Sequence, residues 1–315
     1  MVDLLDRRLI FVTGKGGVGK TTVAAALAAL AAGRGRRTLV CEIDAKGNMA
    51  DFFETAPTQF EERPIAPNLW AMSMDTEASL RQYLALQLHL PVLAAIGPLA
   101  RMFDFVASAA PGVREIVTVG KLCWEVRERH YDTVVVDASA SGHIVSQLSA
   151  PQAINQLVQV GLVRQQTGWM LDILGDPATT GLVAVATPDE MPVSETLELV
   201  GRVRAETNVD LAAVVVNRVL PELFSRSEEA LFGRLEEPSA TATLDAELAS
   251  PSRPLLDAAR LMVTTRRSRT EHLERLRAGT DPAVPLLYVP YLFIRSHGLR
   301  ATHQVADALA AELGY

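Results

Sequence analysis

The sequence GKGGVGKTT at residues 14–22 is the strongest indication of the fold. It follows the apolar run LIFV at 9–12 and opens onto a run at 23–32 that is rich in alanine and leucine. A strand, a glycine loop and a helix in this order are typical of a phosphate-binding P-loop. The glycines let backbone N–H groups surround phosphate oxygens, and the N-terminus of the following helix adds a positive dipole. A glycine-rich turn that binds nothing is the alternative, but this full pattern rarely arises by chance.

The side chains of the loop have separate expected roles. Lys20 should reach the β- and γ-phosphates, and the hydroxyl of Thr21 should ligate Mg²⁺. The sequence therefore predicts ATP as the substrate and Mg²⁺ as the cofactor. The residues expected to contact the nucleotide in this loop are Gly14, Gly16, Gly17, Val18, Gly19, Lys20, Thr21 and Thr22.

Composition limits the remaining choices. The chain has 315 residues, of which 49% are hydrophobic and 21% are charged, so it suits one large domain with an elaboration, or two domains. A net charge of −7 disfavours a general surface for nucleic acid or anionic membranes, and we expect no nucleic-acid partner. The most apolar stretch, 84–100, is interrupted by a histidine, a glycine and two prolines, so we expect no integral membrane segment.

The two cysteines, Cys41 and Cys123, form neither a CxxC motif nor another metal-ligand spacing. Both are expected in the core, and they indicate a reducing, cytoplasmic compartment. The N-terminus does not read as a signal peptide. His89, His130 and His143 are dispersed, and we expect none of them to bind a metal. No zinc or iron–sulfur cluster is predicted.

Strands and helices alternate along most of the chain. The predicted strands cover 8–13, 38–43, 69–74, 132–136, 181–187, 211–216 and 285–289. Helices are predicted at 20–33, 192–207, 255–278 and 299–313, with mostly helical patterns over 76–130 and over 143–174, the latter interrupted at Pro151. Residues 218–252 are polar and are predicted to be an insertion or a mobile segment. Short apolar strands of this kind favour an α/β fold, a P-loop NTPase whose mostly parallel, doubly wound sheet is flanked by helices.

The predicted elements divide the chain into two parts. Residues 1–75, 131–142 and 179–315 form the expected ATPase core. Residues 76–130 and 143–178 form an inserted helical subdomain, whose apolar residues between 84 and 106 are too many for one narrow helix stripe. This subdomain is expected to be a surface for a partner or client, a closed helical core or a dimer contact.

Polar residues end three of the predicted strands, where open α/β sheets bind ligands. Asp44 ends the second strand and is expected to hold or activate the attacking water. Asp137 ends the strand DTVVV at 132–136 and is expected to hold Mg²⁺ directly or through water, with the backbone of Gly142 reaching the γ-phosphate. Either aspartate could instead be a helix cap or turn residue. Asn217 is expected to read the adenine edge, although asparagine is also a common turn former.

The loop with its second lysine, Lys15, resembles the deviant Walker A group of ATPases. The chain as a whole is similar to the arsenical pump and tail-anchored protein targeting ATPases within that group. The stretches that carry this resemblance are NLWAMSMD at 68–75, APGVREIVTVGKL at 110–122, YDTVVVDASASGH at 131–143, TPDEMPVSET at 187–196, NRVLP at 217–221 and VPYL at 289–292.

The resemblance implies a sandwich dimer in which Lys15 crosses the interface and touches the partner's nucleotide. It places Lys15, Lys20 and Asp44 at catalytic positions and makes Pro290 a candidate for the adenine pocket. It also implies a homodimer, or a hetero-dimer with a paralogue, that acts on a hydrophobic protein client.

The chain departs from the family pattern in its first switch, which reads DAKGN at 44–48. Asp44 is kept, but Lys46 stands beside it and could contact phosphate, pair with a carboxylate or face solvent. The zinc-binding CxxC of the eukaryotic targeting ATPases and the cysteine triad of the arsenical pump ATPase are both missing, so thiolate sensing of metalloids has no ligands.

The leading hypothesis is an ATPase that cycles between open and closed dimers and couples the nucleotide state to a protein partner or hydrophobic client. A positioning or partition ATPase of the same superfamily is an alternative, although the C-terminal helix offers no basic membrane-targeting face. A weakly active regulatory subunit of a hetero-dimer is another, because the first switch is altered.

Overall fold

The computed structural model of the chain describes residues 3–43, 48–75, 78, 79, 82, 112–157, 160–235, 237–294 and 298–315. The catalytic candidate Asp44 and its neighbour Lys46 lie outside the described residues. So does the greater part of 76–111, the first portion of the predicted helical stretch 76–130, which includes His89 and the apolar residues between 84 and 106.

Eight strands within the described residues form one sheet in the order β3-β4-β2-β5-β1-β6-β7-β8. They are β1 (Leu9–Gly14), β2 (Thr38–Glu42), β3 (Arg63–Ala66), β4 (Leu69–Ser73), β5 (Thr133–Asp137), β6 (Thr180–Ala186), β7 (Leu211–Val219) and β8 (Leu286–Pro290). All neighbouring strands run parallel except β3, which pairs with β4 in the antiparallel direction. The mostly parallel α/β sheet that the sequence predicts is confirmed.

Helices cover both faces of this sheet. They are α1 (Lys20–Gly33), α2 (Asn48–Phe52), α3 (Val113–Arg127), α4 (Ser141–Leu157), α5 (Leu162–Gly175), α6 (Glu190–Glu206), α7 (Arg226–Leu235), α8 (Pro238–Leu248), α9 (Arg253–Gly279) and α10 (Leu299–Leu313). None of the helices in the described ranges is long and apolar enough to cross a bilayer.

Consecutive residues of the central strand supply two separate cores. Leu9 and Phe11 of β1 point into a cluster that contains residues of α3, α4, α5 and α6. Ile10 and Val12 point into the opposite cluster, which contains the alanine-rich face of α1 and residues of α10. A parallel strand buried on both faces needs apolar residues at every position, which explains the continuous run at 9–12.

The described helices of the predicted subdomain pack directly on the sheet. Leu122 and Val126 of α3 and Ile144 and Leu148 of α4 are buried in the same cluster as Phe11. These helices therefore share one hydrophobic core with the ATPase sheet. The division into a core and an inserted helical subdomain stays a prediction.

Pro151 does not interrupt its helix. Helix α4 continues through Pro151 to Leu157. Proline removes one helical hydrogen bond and crowds the preceding turn, which usually ends or kinks a helix. Here Pro151 is buried, and Ile144, Val145 and Leu148 anchor the preceding turns in the core, so tertiary packing outweighs the local penalty.

Residues 218–252 contain regular secondary structure, which the sequence did not predict. They contain the end of β7 and two helices, α7 and α8, which lie beside the first half of α9. These helices carry many charged residues, so the sequence gives little sign of the apolar side chains that face α9. The prediction of an insertion or a mobile segment stays a prediction.

Candidate nucleotide site

The P-loop leaves the centre of the sheet, where strand order reverses on the two sides of β1. Connections from β1 and β5 cross to opposite sides here, and such a switch point opens a crevice at the carboxyl ends of the strands. The loop runs from Gly14 at the end of β1 to Lys20 at the start of α1. The P-loop context that the sequence predicts is therefore present.

Two glycines of the loop are required by their surroundings. Gly14 has φ of 155°, and a Cβ there would lie 2.2 Å from the carbonyl oxygen of Val185. Gly19 has φ of 95°, and a Cβ there would lie 2.3 Å from Nδ2 of Asn217. Any side chain at these positions would be strained and would push β6 or β7 away from the loop. The glycines Gly16 and Gly17 lie exposed at the open side of the loop.

The two lysines of the loop point to different neighbours. Lys20 Nζ lies 3.4 Å from the carbonyl oxygen of Lys15, so the side chain folds back over the phosphate-binding loop. Lys15 Nζ lies 2.5 Å from Oε1 of Glu195 on α6. Lys15 is therefore held by an ion pair within its own chain.

Thr21 and Asp137 come together as the metal prediction requires. Thr21 Oγ1 donates a hydrogen bond of 2.7 Å to Oδ2 of Asp137, which is 6% exposed at the end of β5. A hydroxyl and a carboxylate beside a phosphate loop are hard oxygen donors of the kind that Mg²⁺ prefers, and the ion usually completes its shell with phosphate oxygens and water. The donor set fits Mg²⁺.

The segment that follows Asp137 is tied to the central strand. Thr13 Oγ1 donates a hydrogen bond of 2.8 Å to the carbonyl oxygen of Ser139, and the backbone N–H of Ala138 donates to the carbonyl of Val12 at 2.9 Å. Helix α4 begins directly after this segment, and Gly142 lies exposed in its first turn. The backbone of Gly142 is thus placed at the same sheet edge as the P-loop.

Gly142 and Glu195 line one cleft of about 300 Å³. The ion pair of Lys15 with Glu195 therefore lies at the edge of the space where the γ-phosphate is expected. Glu195 belongs to the stretch TPDEMPVSET, but its contact with Lys15 was not predicted. The two residues are 180 positions apart, and only the packing of α6 beside the P-loop brings them together.

Asn217 joins β7 to the P-loop. Its Nδ2 donates a hydrogen bond of 2.8 Å to the carbonyl oxygen of Val18, and its Oδ1 accepts one of 2.9 Å from the backbone N–H of Arg218. An asparagine amide has a second hydrogen and a second lone pair, so these two contacts leave capacity to recognise a base. The sequence did not predict that Asn217 also supports the loop.

A pocket of about 280 Å³ opens beside Asn217. The predicted adenine-side residues Asn217 and Pro290 line it together with Thr22 of the P-loop. Arg218 and Tyr291 line it as well, and they belong to the stretches NRVLP and VPYL, which the resemblance places on the adenine side. Polar and apolar surfaces meet here, as a planar base requires.

Cys41 and Cys123 are fully buried and free, as predicted. Burial in apolar surroundings raises the pKa of both thiols well above the usual range. Of the described histidines, His143 is exposed and donates its backbone N–H to the carbonyl of Ala140, and the ring of His130 contacts Glu125 on α3, away from the P-loop.

Comparison of the sequence with known proteins identifies the family. The family model described as anion-transporting ATPase matches residues 7–170 and 162–236. ATPase BagA of Mycobacterium tuberculosis is 30% identical over 97% of this chain and 93% of its own length. ATPase GET3 of Chaetomium globosum is 31% identical over 65% of this chain and 59% of its own length, and ATPase ARSA2 of Chlamydomonas reinhardtii is 29% identical over 72% and 63%. The chain belongs to the anion-transporting ATPase family.

Proposed function

We propose that this ATPase is a dimeric molecular switch, in which the ATP state of two copies controls the binding of a protein partner or hydrophobic client. The observation that carries the nucleotide chemistry is the 2.7 Å contact between Thr21 and Asp137 next to the P-loop lysine Lys20. It sets a metal-binding pair where the β- and γ-phosphates are expected. Family membership gives the ATPase activity, and the dimer and the client are the proposed parts.

The proposed chemistry is in-line attack of water on the γ-phosphate. Lys20 would neutralise charge on the transferred phosphoryl group, and Thr21 and Asp137 would hold Mg²⁺, which would supply further positive charge to the reaction. Asp44 would orient the attacking water, and the backbone N–H of Gly142 would contact the γ-phosphate. Asn217 would hold the P-loop through Val18 while it recognises the base.

The position of Lys15 supports two states of the proposed switch. In this structure its ammonium is held by Glu195 of the same chain. To complete the site of a second copy, Lys15 must leave Glu195 and exchange one anionic partner for another, the phosphates. The ion pair would thus belong to the open state, and contact with the partner's nucleotide would belong to the closed state.

The junction between α4 and α5, in the predicted helical subdomain, supports a surface for a partner. Leu157 at the end of α4 and Val160 just before α5 are both strongly exposed. Two exposed apolar side chains at one helix junction are consistent with a docking point for a hydrophobic client, whereas a closed helical core would cover them. Two buried, free thiols fit the proposed cytoplasmic location.

Steady-state phosphate release by the purified chain tests the proposal. We expect Lys20→Ala to abolish hydrolysis, and Lys15→Ala to reduce hydrolysis more than it weakens nucleotide binding. Arg204→Ala is a matched control. Arg204 lies near the C-terminal end of α6 and is also a partly exposed cation in an ion pair, with Asp281. Wild-type hydrolysis by Lys20→Ala would refute the assignment of the site.

A further inference from the structure

A second buried carboxylate lies beside Asp137. Glu42 is the last residue of β2 and is 3% exposed. In the register of the parallel strands β2 and β5, Glu42 is paired directly with Asp137. Neighbouring strands of a sheet lie about 4.8 Å apart, so the two residues are adjacent across the sheet. The sequence did not indicate a role for Glu42, because it falls within the predicted strand at 38–43.

Glu42 and Asp137 point to the same face of the sheet. Paired residues of neighbouring strands share a face, and side chains alternate between the two faces along each strand. Val40 and Val135, two positions before Glu42 and Asp137, belong to the cluster that contains the alanine-rich face of α1. Both carboxylates therefore lie on the side of the sheet that α1 covers, where Thr21 bonds to Asp137.

The order of the strands limits how Glu42 can act. Strand β5 separates β2 from β1, which leads into the P-loop. Two strand spacings amount to about 9.6 Å, so Glu42 lies behind Asp137 as seen from the loop. Glu42 is thus placed to act on a nucleotide through Asp137 or through metal-bound water, and not by contact with phosphate.

The backbone of Glu42 is fixed on both sides. Its carbonyl oxygen accepts a hydrogen bond of 2.7 Å from the backbone N–H of Met74, which follows β4. The backbone N–H of Ile43 donates one of 3.1 Å to the carbonyl oxygen of Asp137. A polar group on a rigid backbone can orient a ligand without reorganising first, as a preorganised site requires.

Two neighbouring carboxylates in the interior make this end of the sheet strongly negative. Charges act on each other more strongly here than in water, because the effective dielectric constant is lower. A divalent cation beside both carboxylates reduces their mutual repulsion and is itself attracted by them. The pair therefore strengthens the field at the place where Thr21 and Asp137 already supply oxygen donors of the kind that Mg²⁺ prefers.

We propose that Glu42 is a positioning residue for Mg²⁺, which it holds through metal-bound water behind Asp137. Mg²⁺ gives up its water reluctantly and usually keeps several water molecules, and carboxylates outside the inner shell orient such ligands. Thr21 and Asp137 would remain the nearer groups. This inference rests on the magnesium site of the proposed function and adds one residue to it, and it depends on neither the dimer nor the client.

Calorimetric titration of the full chain with ATPγS, in EDTA and in MgCl₂, tests the proposal. The readout is the dissociation constant in EDTA divided by that in MgCl₂, which measures how strongly Mg²⁺ and nucleotide support each other's binding. Glu42→Gln should lower this ratio by about tenfold, as the loss of an outer partner of a metal does. In EDTA the same variant should bind ATPγS as tightly as the wild type or more tightly, because a negative charge near the phosphates is removed.

Two further variants separate a role at the metal from a role in folding. Glu42→Asp keeps the charge and should restore most of the ratio. Glu125→Gln is the matched control, because Glu125 is 2% exposed and pairs with Lys121 on α3, away from the P-loop. It should leave the ratio unchanged even where it lowers the thermal stability of the chain.

An unchanged ratio in Glu42→Gln would overturn the proposal. An equal loss of affinity in EDTA and in MgCl₂ would also overturn it, because Glu42 would then only support the fold. If Thr21→Ala lowers the ratio and Glu42→Gln does not, the magnesium site stands and the role of Glu42 alone is refuted. If Mg²⁺ does not tighten binding to the wild type, the magnesium site of the proposed function fails, and the role of Glu42 fails with it.

Discussion

Lys15 Nζ lies 2.5 Å from Oε1 of Glu195, so this lysine of the P-loop is bound to helix α6 of its own chain. The two side chains are 27% and 35% exposed. Partly exposed ion pairs contribute about 0.2–1 kcal/mol, which thermal motion or a competing phosphate can overcome. The pair is therefore suited to hold Lys15 reversibly.

Glu195→Gln should increase ATP hydrolysis by up to about fivefold at limiting protein concentration, since about 1 kcal/mol no longer opposes the movement of Lys15. The measurement is phosphate release as a function of protein concentration. Glu198→Gln is the control, because Glu198 is exposed in the same cleft, and it should change the rate little. A lower rate for Glu195→Gln would mean that Glu195 positions Lys15 for catalysis instead of restraining it.

Gly19→Ala should abolish nucleotide binding and lower the free energy of unfolding. The new Cβ would lie 2.3 Å from Asn217 Nδ2, and φ of 95° is strained for alanine. We expect a loss of about 1–3 kcal/mol from backbone strain alone. Gly201→Ala on α6 is the control, since a Cβ there would meet nothing within 4 Å. This substitution should stabilise the helix by about 0.5–1 kcal/mol. Urea unfolding measures both, and a stable, ATP-binding Gly19→Ala protein would contradict the loop geometry.

Thr21→Ala should raise the concentration of Mg²⁺ needed for half-maximal hydrolysis by at least about tenfold, because a proposed metal ligand and the 2.7 Å bond to Asp137 are lost together. Titration of phosphate release with MgCl₂ measures the change. Thr264→Ala, an exposed threonine on α9, should behave as the wild type. An unchanged requirement for Mg²⁺ in Thr21→Ala would remove Thr21 from the metal site.

The thiols of Cys41 and Cys123 should be inert to a disulfide reagent in the folded protein, because burial raises the pKa of both and suppresses the reactive thiolate. Two thiols should react after denaturation in guanidinium chloride. Raising the pH toward 9 should not expose them while the fold is intact. Rapid reaction of either cysteine at neutral pH would show that its part of the core opens readily.

Local signals predicted the parts of this fold that local physics determines. Helix α1 was predicted at 20–33 and is found at Lys20–Gly33, because a P-loop starts a helix at its lysine and the alanine-rich run supports it. The strand β3 was not predicted, because Pro64 lies in the segment 57–67, which is rich in proline and is typical of a connection. Proline is tolerated on an edge strand, where its missing N–H need not join the ladder.

The contacts that refine the site depend on elements far apart in the sequence. The pair of Lys15 with Glu195 and the bond from Asn217 to Val18 span 180 and 199 positions. A single sequence shows the polar residues at the ends of strands but not which of them meet. The apolar groove between α7, α8 and α9 was missed for a different reason. Charged residues around Leu231 and Leu248 give this segment a polar composition.

Hydrolysis by mixed dimers tests the central proposal, that Lys15 acts in the site of a second copy, most directly. Lys15→Ala and Asp44→Asn copies should each be nearly inactive alone. In a mixed dimer the site of the Lys15→Ala copy keeps its own Asp44 and receives Lys15 from its partner. An equimolar mixture should then recover roughly a quarter of wild-type activity, because half of the dimers are mixed and each has one complete site. A mixture as inactive as its components would show that Lys15 acts within its own chain and would contradict the proposed dimeric site.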